Sequence, residues 1–375
     1  MTLSKRWSRP VGTAAIAVGA ACLLATCVAP SAFRAVKQPR LGRPLGGRVA
    51  VVFSERYQID LPGVQWVHPF DTRKYAKIYL KLSTEGVLRP ETVFVPPEAT
   101  LAEIRRAHTD QYLASLGSPA AVARYLEAKP AKVLPAKIVD TGILRAHRYA
   151  AGGTVLAGRL ALQYGIAINL GGGFHHAKPH TGEGFCVYND IAMAIRALQD
   201  EGRIARALVV DLDVHQGNGT AECFAGEEPV FTFSMHQGNI YPIPKSKSDL
   251  DIELEPGTDD AAFLAILGEN LPNVIKRARP DIVFLQAGCD TLSGDPLAGL
   301  AMTEDGIVER DAVVVDACFR RGIPIVMTLG GGYTPQAWAV QYASVRNLIE
   351  TYGLEGRPPP FSPRKATVPE ILYAK

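Results

Sequence analysis

Short, almost continuously apolar runs recur along the chain, separated by longer segments in which apolar residues return every three or four positions. Because such runs are typical of parallel strands covered on both faces, they predict strands. The predicted strands are Arg48–Phe53, Gly165–Leu170, Ala207–Leu212, Val230–Met235, Asp281–Gln286 and Ile323–Thr328. The amphipathic segments between them predict helices, among them Asp190–Asp200, Asp259–Arg279 and Thr303–Arg320.

The alternation of strands and helices predicts the α/β class: a single three-layer domain with a mainly parallel sheet and helices on both faces. No internal repeat or low-complexity linker divides the pattern, so we expect one domain over residues 46–355. Residues 356–375 follow a proline-rich stretch and are expected to form an irregular tail. In open parallel sheets, ligands bind beyond the carboxyl ends of the strands.

Composition and charge narrow the possible functions. Hydrophobic residues make up 47% of the 375 residues, which is enough for a large packed core. Residues 1–45 hold seven basic residues and no acidic one, whereas the rest of the chain holds 33 basic and 37 acidic residues. The body of the protein is therefore slightly acidic, and we expect no direct binding of nucleic acid. The four cysteines outside the first 45 residues are expected to be free thiols.

The first 45 residues are expected to be a targeting leader and a basic linker. Residues 11–29 are uncharged and apolar and follow a basic segment, which is the layout of a signal peptide. The basic, acid-free stretch after Phe33 resembles the transit segment of bipartite plastid leaders. Three localisations stay open: a plastid reached through the secretory route, a secreted or membrane-anchored protein, and a cytoplasmic enzyme with a mis-assigned start. Membrane contact is expected only through this leader.

Groups that can bind a metal follow two of the predicted strands. The strand ALVV runs into Asp211, Asp213 and His215, which alternate along an extended segment and so point the same way. Asp290 follows the strand IVFLQ. Carboxylates with an imidazole favour zinc or iron(II) over magnesium, and three ligands with an open position are typical of catalytic zinc. The alternative for each segment alone is a helix cap or a turn; their combination favours the metal site.

Two glycine runs precede further reactive side chains. Residues 171–173 are glycines and lead to His175 and His176, whose imidazoles titrate near neutral pH and are suited to proton transfer. Residues 330–332 are glycines and lead to Tyr333, whose hydroxyl is suited to donate to a developing oxyanion. Taken alone, the second segment is also compatible with a turn that buries a tyrosine.

These segments, in this order, resemble the histone deacetylase family of the arginase/deacetylase superfamily: NLGGGFHHA, GFCVYNDIAMAI, DLDVHQGNGT, AGCDTLSGDPLAGL and LGGGY. The stretches WVHPFDTRKY and RAHTDQYLASL extend the resemblance to most of residues 50–350. HPFD, DLDVHQGNG and GGGY are most like class IV enzymes and their bacterial relatives. The resemblance implies an arginase/deacetylase-like fold and zinc-dependent hydrolysis of the amide of N-acylated lysine.

The resemblance also implies a role for individual residues. The implied zinc ligands are Asp213, His215 and Asp290, and the implied catalytic residues are His175, His176, Tyr333, Asp211 as the partner of His175, and Asn218 as the partner of His176. Class I enzymes have an aspartate where this chain has Asn218. An amide stabilises an imidazolium less than a carboxylate does, so His176 is expected to be the less basic histidine and the general base. Gly184 and Phe185 match the wall of the acyl-lysine tunnel, and Ser234 matches a ligand of a potassium ion held near the metal.

Three other functions stay open at this point. A deacetylase of small acetylamines, such as acetylpolyamines, would share every catalytic residue with an enzyme acting on acylated protein or peptide lysine. A dinuclear ureohydrolase of the arginase type would share the fold but needs more metal ligands. A non-enzymatic binding module would be expected to lack a ligand or Tyr333. Residues 127–145 contain no clear counterpart of the class I aspartate that clamps the substrate backbone, which leaves peptide selectivity open.

Overall fold

The computed structural model describes residues 49–59 and 69–353 of the chain. The leader and linker assigned to residues 1–45, the tail assigned to residues 356–375, and residues 66–68 of the first family-like stretch lie outside the described residues. The targeting hypotheses therefore stay predictions. Among the helices of the described part of the chain, none is both long and apolar enough to cross a membrane.

Within the described residues, eight strands form one sheet in which every neighbouring pair is parallel, in the order β2-β1-β3-β8-β7-β4-β5-β6. The strands are β1 (Val49–Val52), β2 (Val93–Phe94), β3 (Ile166–Asn169), β4 (Ala207–Asp211), β5 (Val230–Gln237), β6 (Leu250–Leu254), β7 (Ile282–Gln286) and β8 (Ile325–Thr328). The predicted α/β class with a parallel sheet is confirmed. The apolar runs do not predict β2 and β6, the two edge strands.

Helices cover the sheet. They are α1 (Arg73–Thr84), α2 (Leu101–Ile104), α3 (Asp110–Ser115), α4 (Pro119–Tyr125), α5 (Ala136–Val139), α6 (Arg145–Tyr164), α7 (Asp190–Asp200), α8 (Asn218–Cys223), α9 (Asp260–Ala278), α10 (Glu304–Phe319) and α11 (Ala337–Tyr352). A π-helical turn, Asp140–Leu144, joins α5 to α6. Side-chain caps define several starts: Asn189, Asp259 and Thr303 each accept a hydrogen bond from the backbone N–H three residues ahead.

The sheet separates two hydrophobic layers because successive strand residues point to opposite faces. Val51, Ile168, Val210 and Leu285 belong to the cluster that also contains buried residues of α1, α9, α10 and α11. Val52, Ala167, Val209 and Phe284 belong to the cluster that contains buried residues of α6 and α7. The two clusters establish the three-layer arrangement that the sequence predicts.

The order of the strands brings the chemically reactive segments together. Strands β3, β8, β7 and β4 are neighbours in the sheet, and all four run in the same direction. The two glycine runs and the two segments with carboxylates each follow one of these strands. Their side chains therefore converge at one edge of the sheet, where the carboxyl ends of parallel strands place ligands.

Candidate metal centre and acid–base site

Asp213, His215 and Asp290 form a compact cluster of potential ligands. One ligand atom from each lies within 4.8 Å of the others, and all three side chains are buried. His215 Nδ1 is 3.3 Å from Asp213 Oδ1 and 3.1 Å from Asp290 Oδ2. Within the described residues, no second group of three such side chains comes as close together. The sequence-predicted ligands thus meet at a single centre.

The backbone holds the two carboxylates in place. Asp290 Oδ1 accepts from Val214 N at 2.9 Å, and Asp213 Oδ2 accepts from Gly331 N at 2.9 Å. A Cβ at residue 331 would run into both carboxylates, which explains why glycine stands there. The buried Arg310 donates to Leu212 O at 3.1 Å and Gly288 O at 2.8 Å, so it ties together the segments that follow β4 and β7.

The spacing and charge of the cluster fit a small divalent metal. A tetrahedral zinc ion with bonds of about 2.0–2.1 Å separates its ligand atoms by about 3.3–3.4 Å, close to the separations between His215 and the two carboxylates. Burial and the neighbouring Asp213 carboxylate raise the pKa of Asp290 to about 7. Burial alone would lower the pKa of His215, but the two carboxylates raise it to about 10. Two buried carboxylates around one imidazole therefore form a site that favours a cation.

The two adjacent histidines have different hydrogen-bond partners. His175 Nδ1 lies 2.8 Å from Asp211 Oδ2, and His175 Nε2 lies 3.8 Å from Asp213 Oδ1. His176 Nδ1 lies 2.8 Å from Asn218 Oδ1. The two imidazole rings are 4.1 Å apart, centroid to centroid, and both are buried. The predicted partners of both histidines therefore lie in hydrogen-bond contact with them.

These environments separate the basicities of the two rings. Burial alone would lower the pKa of His175, but the carboxylates of Asp211 and Asp213 raise it to about 9. Burial and the neighbouring His175 and His215 hold the pKa of His176 well below its usual value, and the hydrogen bond to Asn218 opposes this only in part. His176 is the less basic ring, as the sequence predicts, although burial contributes more than the amide partner does.

Asp190 anchors the glycine loop that carries the histidines. Its carboxylate accepts from Gly173 N at 2.9 Å and Phe174 N at 2.7 Å, and from the Thr154 hydroxyl at 2.5 Å. Asp190 is the first residue of α7 and is fully buried. Asp190 thus fixes the loop that carries His175 and His176 to the start of α7.

Tyr333 lies among aromatic rings beside the ligand cluster. Its ring centroid is 6.1 Å from that of His215, 5.9 Å from that of Phe185 and 6.4 Å from that of Phe70. Its backbone N–H donates to Asp295 Oδ2 at 2.8 Å. Burial and the charges of Asp290 and Asp213 hold the pKa of Tyr333 well above its usual value. The phenol therefore keeps its proton and is available as a donor.

The buried Lys74 supports the glycine loop before Tyr333. Its ammonium donates to Gly330 O at 2.8 Å and Gly331 O at 3.3 Å. Burial lowers the pKa of Lys74, and the nearby carboxylates oppose that shift. No motif of the sequence points to Lys74, although Lys74, Ile78 and Leu82 lie four residues apart on one buried stripe of α1. A lysine on the buried face of a helix was the signal that could have identified it.

Gly184 and Phe185 form a turn against the histidines, and both have positive φ, 53° and 66°. A Cβ at residue 184 would lie 2.5 Å from His176 Cδ2, so glycine permits the close approach. The left-handed conformation costs energy for Phe185, whose ring is directed to Tyr333. Tyr241, which lies outside the sequence motifs of the site, places its ring 5.0 Å from that of His176 and 6.3 Å from that of His215.

Ser234 lies on β5, where it is paired in register with Asp211 on β4. Its side chain is buried, and its hydroxyl is 2.9 Å from His236 Nδ1. The structure gives no contact between Ser234 and the three-ligand cluster. The four cysteines of the described residues are buried and free, as predicted.

Comparison with known proteins identifies the family of this fold. The profile of the histone deacetylase domain matches residues 68–349. Histone deacetylase 2 of Arabidopsis thaliana is 35% identical over 314 residues, which cover 83% of this chain and 81% of that protein. The acetoin utilization protein AcuC of Staphylococcus aureus (strain COL) is 31% identical over 310 residues, which cover 74% of this chain and 77% of that protein.

Two crystal structures share the fold. The HD domain of HDA15 superposes with a TM-score of 0.65 at 24% identity, over 81% of this chain and 90% of that one. The acetylpolyamine aminohydrolase of Burkholderia pseudomallei superposes with a TM-score of 0.63 at 21% identity, over 80% of this chain and 98% of that one. The arginase/deacetylase-like fold that the sequence predicts is confirmed.

Proposed function

The chain belongs to the histone deacetylase family, and we propose that it hydrolyses the amide bond of N-acylated lysine with the help of a zinc ion. Asp213, His215 and Asp290 would hold the ion. The observation that carries the proposal is the convergence of this cluster with two imidazoles of opposite basicity and one protonated tyrosine. Each of these groups has a task in amide hydrolysis.

A bound zinc ion would polarise the acyl carbonyl and make water more acidic. His176, kept neutral by its surroundings, accepts a proton from the water as its oxygen attacks the acyl carbon. The Tyr333 hydroxyl donates to the oxygen that becomes negative, an interaction stronger in the transition state than in the ground state. His176 then returns the proton to the lysine nitrogen as the carbon–nitrogen bond breaks. His175, paired with Asp211, keeps a positive charge beside the reacting groups.

Aromatic side chains around the cluster support a long, unbranched substrate side chain. Contacts between rings run from His176 to Tyr241, from Tyr241 to His215, from His215 to Tyr333 and from Tyr333 to Phe185. Such walls exclude water and pack against methylene groups. Gly184 leaves space for this wall beside His176. A potassium ion near Asp211 and Ser234 is part of the proposal; Ser234 would offer its hydroxyl oxygen, which lies 2.9 Å from His236 Nδ1.

Deacetylation of small acetylamines is the second candidate. The likeness to the acetoin utilization protein and the fold shared with an acetylpolyamine aminohydrolase favour it, and the same catalytic groups would serve both reactions. The two candidates differ only in what lies beyond the acylated amine: a peptide backbone in one case, a short aliphatic amine in the other.

The zinc-loaded protein should be assayed on acetyl-lysine and long-chain acyl-lysine peptides and, in parallel, on acetylated polyamines. We expect turnover of the peptides, and the acyl chain that is hydrolysed fastest would identify the substrate class. Asp213→Ala and a chelator should each abolish it, whereas Asp281→Asn, a carboxylate that caps backbone groups far from the cluster, should keep it. Turnover of acetylamines alone would establish the second candidate instead.

A further inference from the structure

Glu183, at the start of the Gly184–Phe185 turn, contacts the partner of His176. Asn218 Nδ2 donates to Glu183 Oε1 at 2.5 Å, while Asn218 Oδ1 faces His176 Nδ1 at 2.8 Å. The ammonium of Lys178 is 3.4 Å from Glu183 Oε1 and 3.0 Å from Glu222 Oε1. Burial and the nearby Glu183 carboxylate raise the pKa of Tyr241, so the Tyr241 hydroxyl also lies near Glu183. Glu183 therefore accepts a hydrogen bond from Asn218, forms an ion pair with Lys178, and reaches the imidazole of His176 only through Asn218.

The side-chain amide of an asparagine has one accepting end and one donating end, and the two have nearly the same shape. Asn218 alone thus fits His176 in either orientation. With Oδ1 toward the ring, Nδ1 carries the proton and Nε2 has a free lone pair. With the NH2 group toward the ring, Nδ1 must accept, so Nε2 carries the proton and is unable to act as a base.

A carboxylate accepts hydrogen bonds from any side and offers none. Glu183 therefore admits only the orientation in which the NH2 group of Asn218 faces it, because the flipped amide would bring two acceptor oxygens together. Asn218 and His176 are buried, at 1% and 3% exposure, so a flipped amide would hold its oxygen against the carboxylate of Glu183, whose own side chain is 31% exposed. We propose that Glu183 is a positioning residue that fixes the orientation of Asn218 and, through it, the Nδ1–H tautomer of His176.

Lys178 and Tyr241 strengthen this arrangement. The ammonium of Lys178 lies between the carboxylates of Glu183 and Glu222, and Glu222 accepts from the Ser246 hydroxyl at 2.9 Å. These contacts restrain Glu183 through Lys178. The ring of Tyr241 lies 5.0 Å from that of His176, and its hydroxyl lies near Glu183. The inference rests on the proposed function only in giving His176 the role of base; the tautomer itself is a property of the folded protein.

The first test reads the tautomer directly. In zinc-loaded protein labelled with ¹⁵N-histidine, two-bond ¹H–¹⁵N correlations identify which ring nitrogen of His176 is protonated, and a His176→Gln spectrum assigns the signal. We expect Nδ1–H in the unchanged protein and in Glu183→Gln, because the Lys178 ammonium, 3.4 Å from Oε1, favours the amide oxygen at the position that accepts from Asn218. Glu183→Ala should show a substantial Nε2–H population. A Glu183→Ala protein that keeps only Nδ1–H would overturn the inference.

The second test separates positioning from a general structural role. Glu183→Ala should lower kcat about tenfold with KM changed less than about twofold, a part of the 10²–10⁴-fold that a placed base contributes. Glu183→Gln and the control Glu222→Gln, which removes the other carboxylate on Lys178, should stay within about twofold of the unchanged protein. Equal losses in Glu183→Ala and Glu183→Gln, or a loss confined to KM, would contradict the inference.

A double variant tests whether Glu183 acts on His176 through Asn218. Asn218→Asp in the Glu183→Ala background gives His176 a carboxylate partner that accepts in either orientation, so Nδ1–H should return. Persistent Nε2–H there would refute the proposed link through Asn218. If no acyl peptide is hydrolysed, the proposed function fails, but the tautomer spectra still decide the role of Glu183.

Discussion

Replacing Tyr333 with phenylalanine removes the proposed oxyanion donor and little else. The ring keeps its neighbours, because the contacts at 6.1 Å to His215, 5.9 Å to Phe185 and 6.4 Å to Phe70 involve the ring and not the hydroxyl. The backbone N–H keeps its hydrogen bond to Asp295. The substitution therefore isolates one hydrogen bond at the reaction centre.

The magnitude follows from the state of the phenol. Burial and the charges of Asp290 and Asp213 keep Tyr333 protonated, so it is a neutral donor in a site with little water. Loss of one such donor costs about 10²–10³-fold in kcat, or about 3–4 kcal/mol of transition-state stabilisation. KM should change less than about threefold, and the free energy of unfolding by less than about 1 kcal/mol, since a neutral hydrogen bond contributes little net stability.

The assay is steady-state hydrolysis of an acyl-lysine peptide, with urea unfolding and zinc content measured on the same preparations. Tyr352→Phe is the matched control, because its hydroxyl lies on α11 and contacts Asp316 at 3.4 Å. That variant should retain full kcat. Loss of an oxyanion donor should lower kcat at least about 10²-fold. If kcat of Tyr333→Phe stays within about threefold of the unchanged protein, the role of the hydroxyl is refuted.

Three further predictions concern the ligands, the loop and the pH range. Asp290→Ala should lower zinc affinity by more than about 100-fold, the upper end for residues that only support a ligand; zinc titration with a competing chelator measures it, and an unchanged affinity would contradict the site. Asp190→Asn should lower the free energy of unfolding by about 1–3 kcal/mol, because an amide nitrogen would face the donors that Asp190 accepts; urea unfolding tests this, and an unaltered midpoint would count against the anchor. Burial lowers the pKa of His108 from 6.5 to about 4, so the unfolded chain binds more protons between these values and stability falls as the pH drops through that window. His108→Gln should reduce the slope of stability against pH by up to about 1.4 kcal/mol per pH unit. Equal slopes in both proteins would exclude His108 as the source of this pH dependence.

Local sequence patterns predict much of this fold, but they miss the edge strands of the sheet and the order of its strands. The apolar runs identify the interior strands because both faces of those strands are covered. β6 reads LDIEL, and most of its residues are partly or fully exposed, so it lacks that signature; β2 has only two residues. The predicted helices α9 and α10 begin one residue early, at the capping residues Asp259 and Thr303, since a cap lies outside the helix it starts. The strand order depends on long-range pairing, which periodicity does not encode.

The candidate site also contains residues that local patterns predict and residues that they miss. Its proposed ligands and catalytic groups follow strands β3, β4, β7 and β8. Because the carboxyl ends of parallel strands share one edge of the sheet, these groups are expected to come together whatever the strand order. Lys74, Glu183 and Asp190 come from an ordinary helix, a turn and a helix start. Lys74 contacts Gly330, 256 positions away in the chain, and such a contact becomes visible only in the folded protein.

Zinc content and turnover, measured on the same samples, test the central claim most directly. Protein stripped with a chelator would be reloaded stepwise while hydrolysis of an acyl-lysine peptide is followed. Three ligands at one centre predict that turnover starts near zero, rises in proportion to bound zinc and stops rising at one zinc per chain. Full hydrolysis by folded, metal-free protein, or a need for two metal ions per chain, would contradict the account.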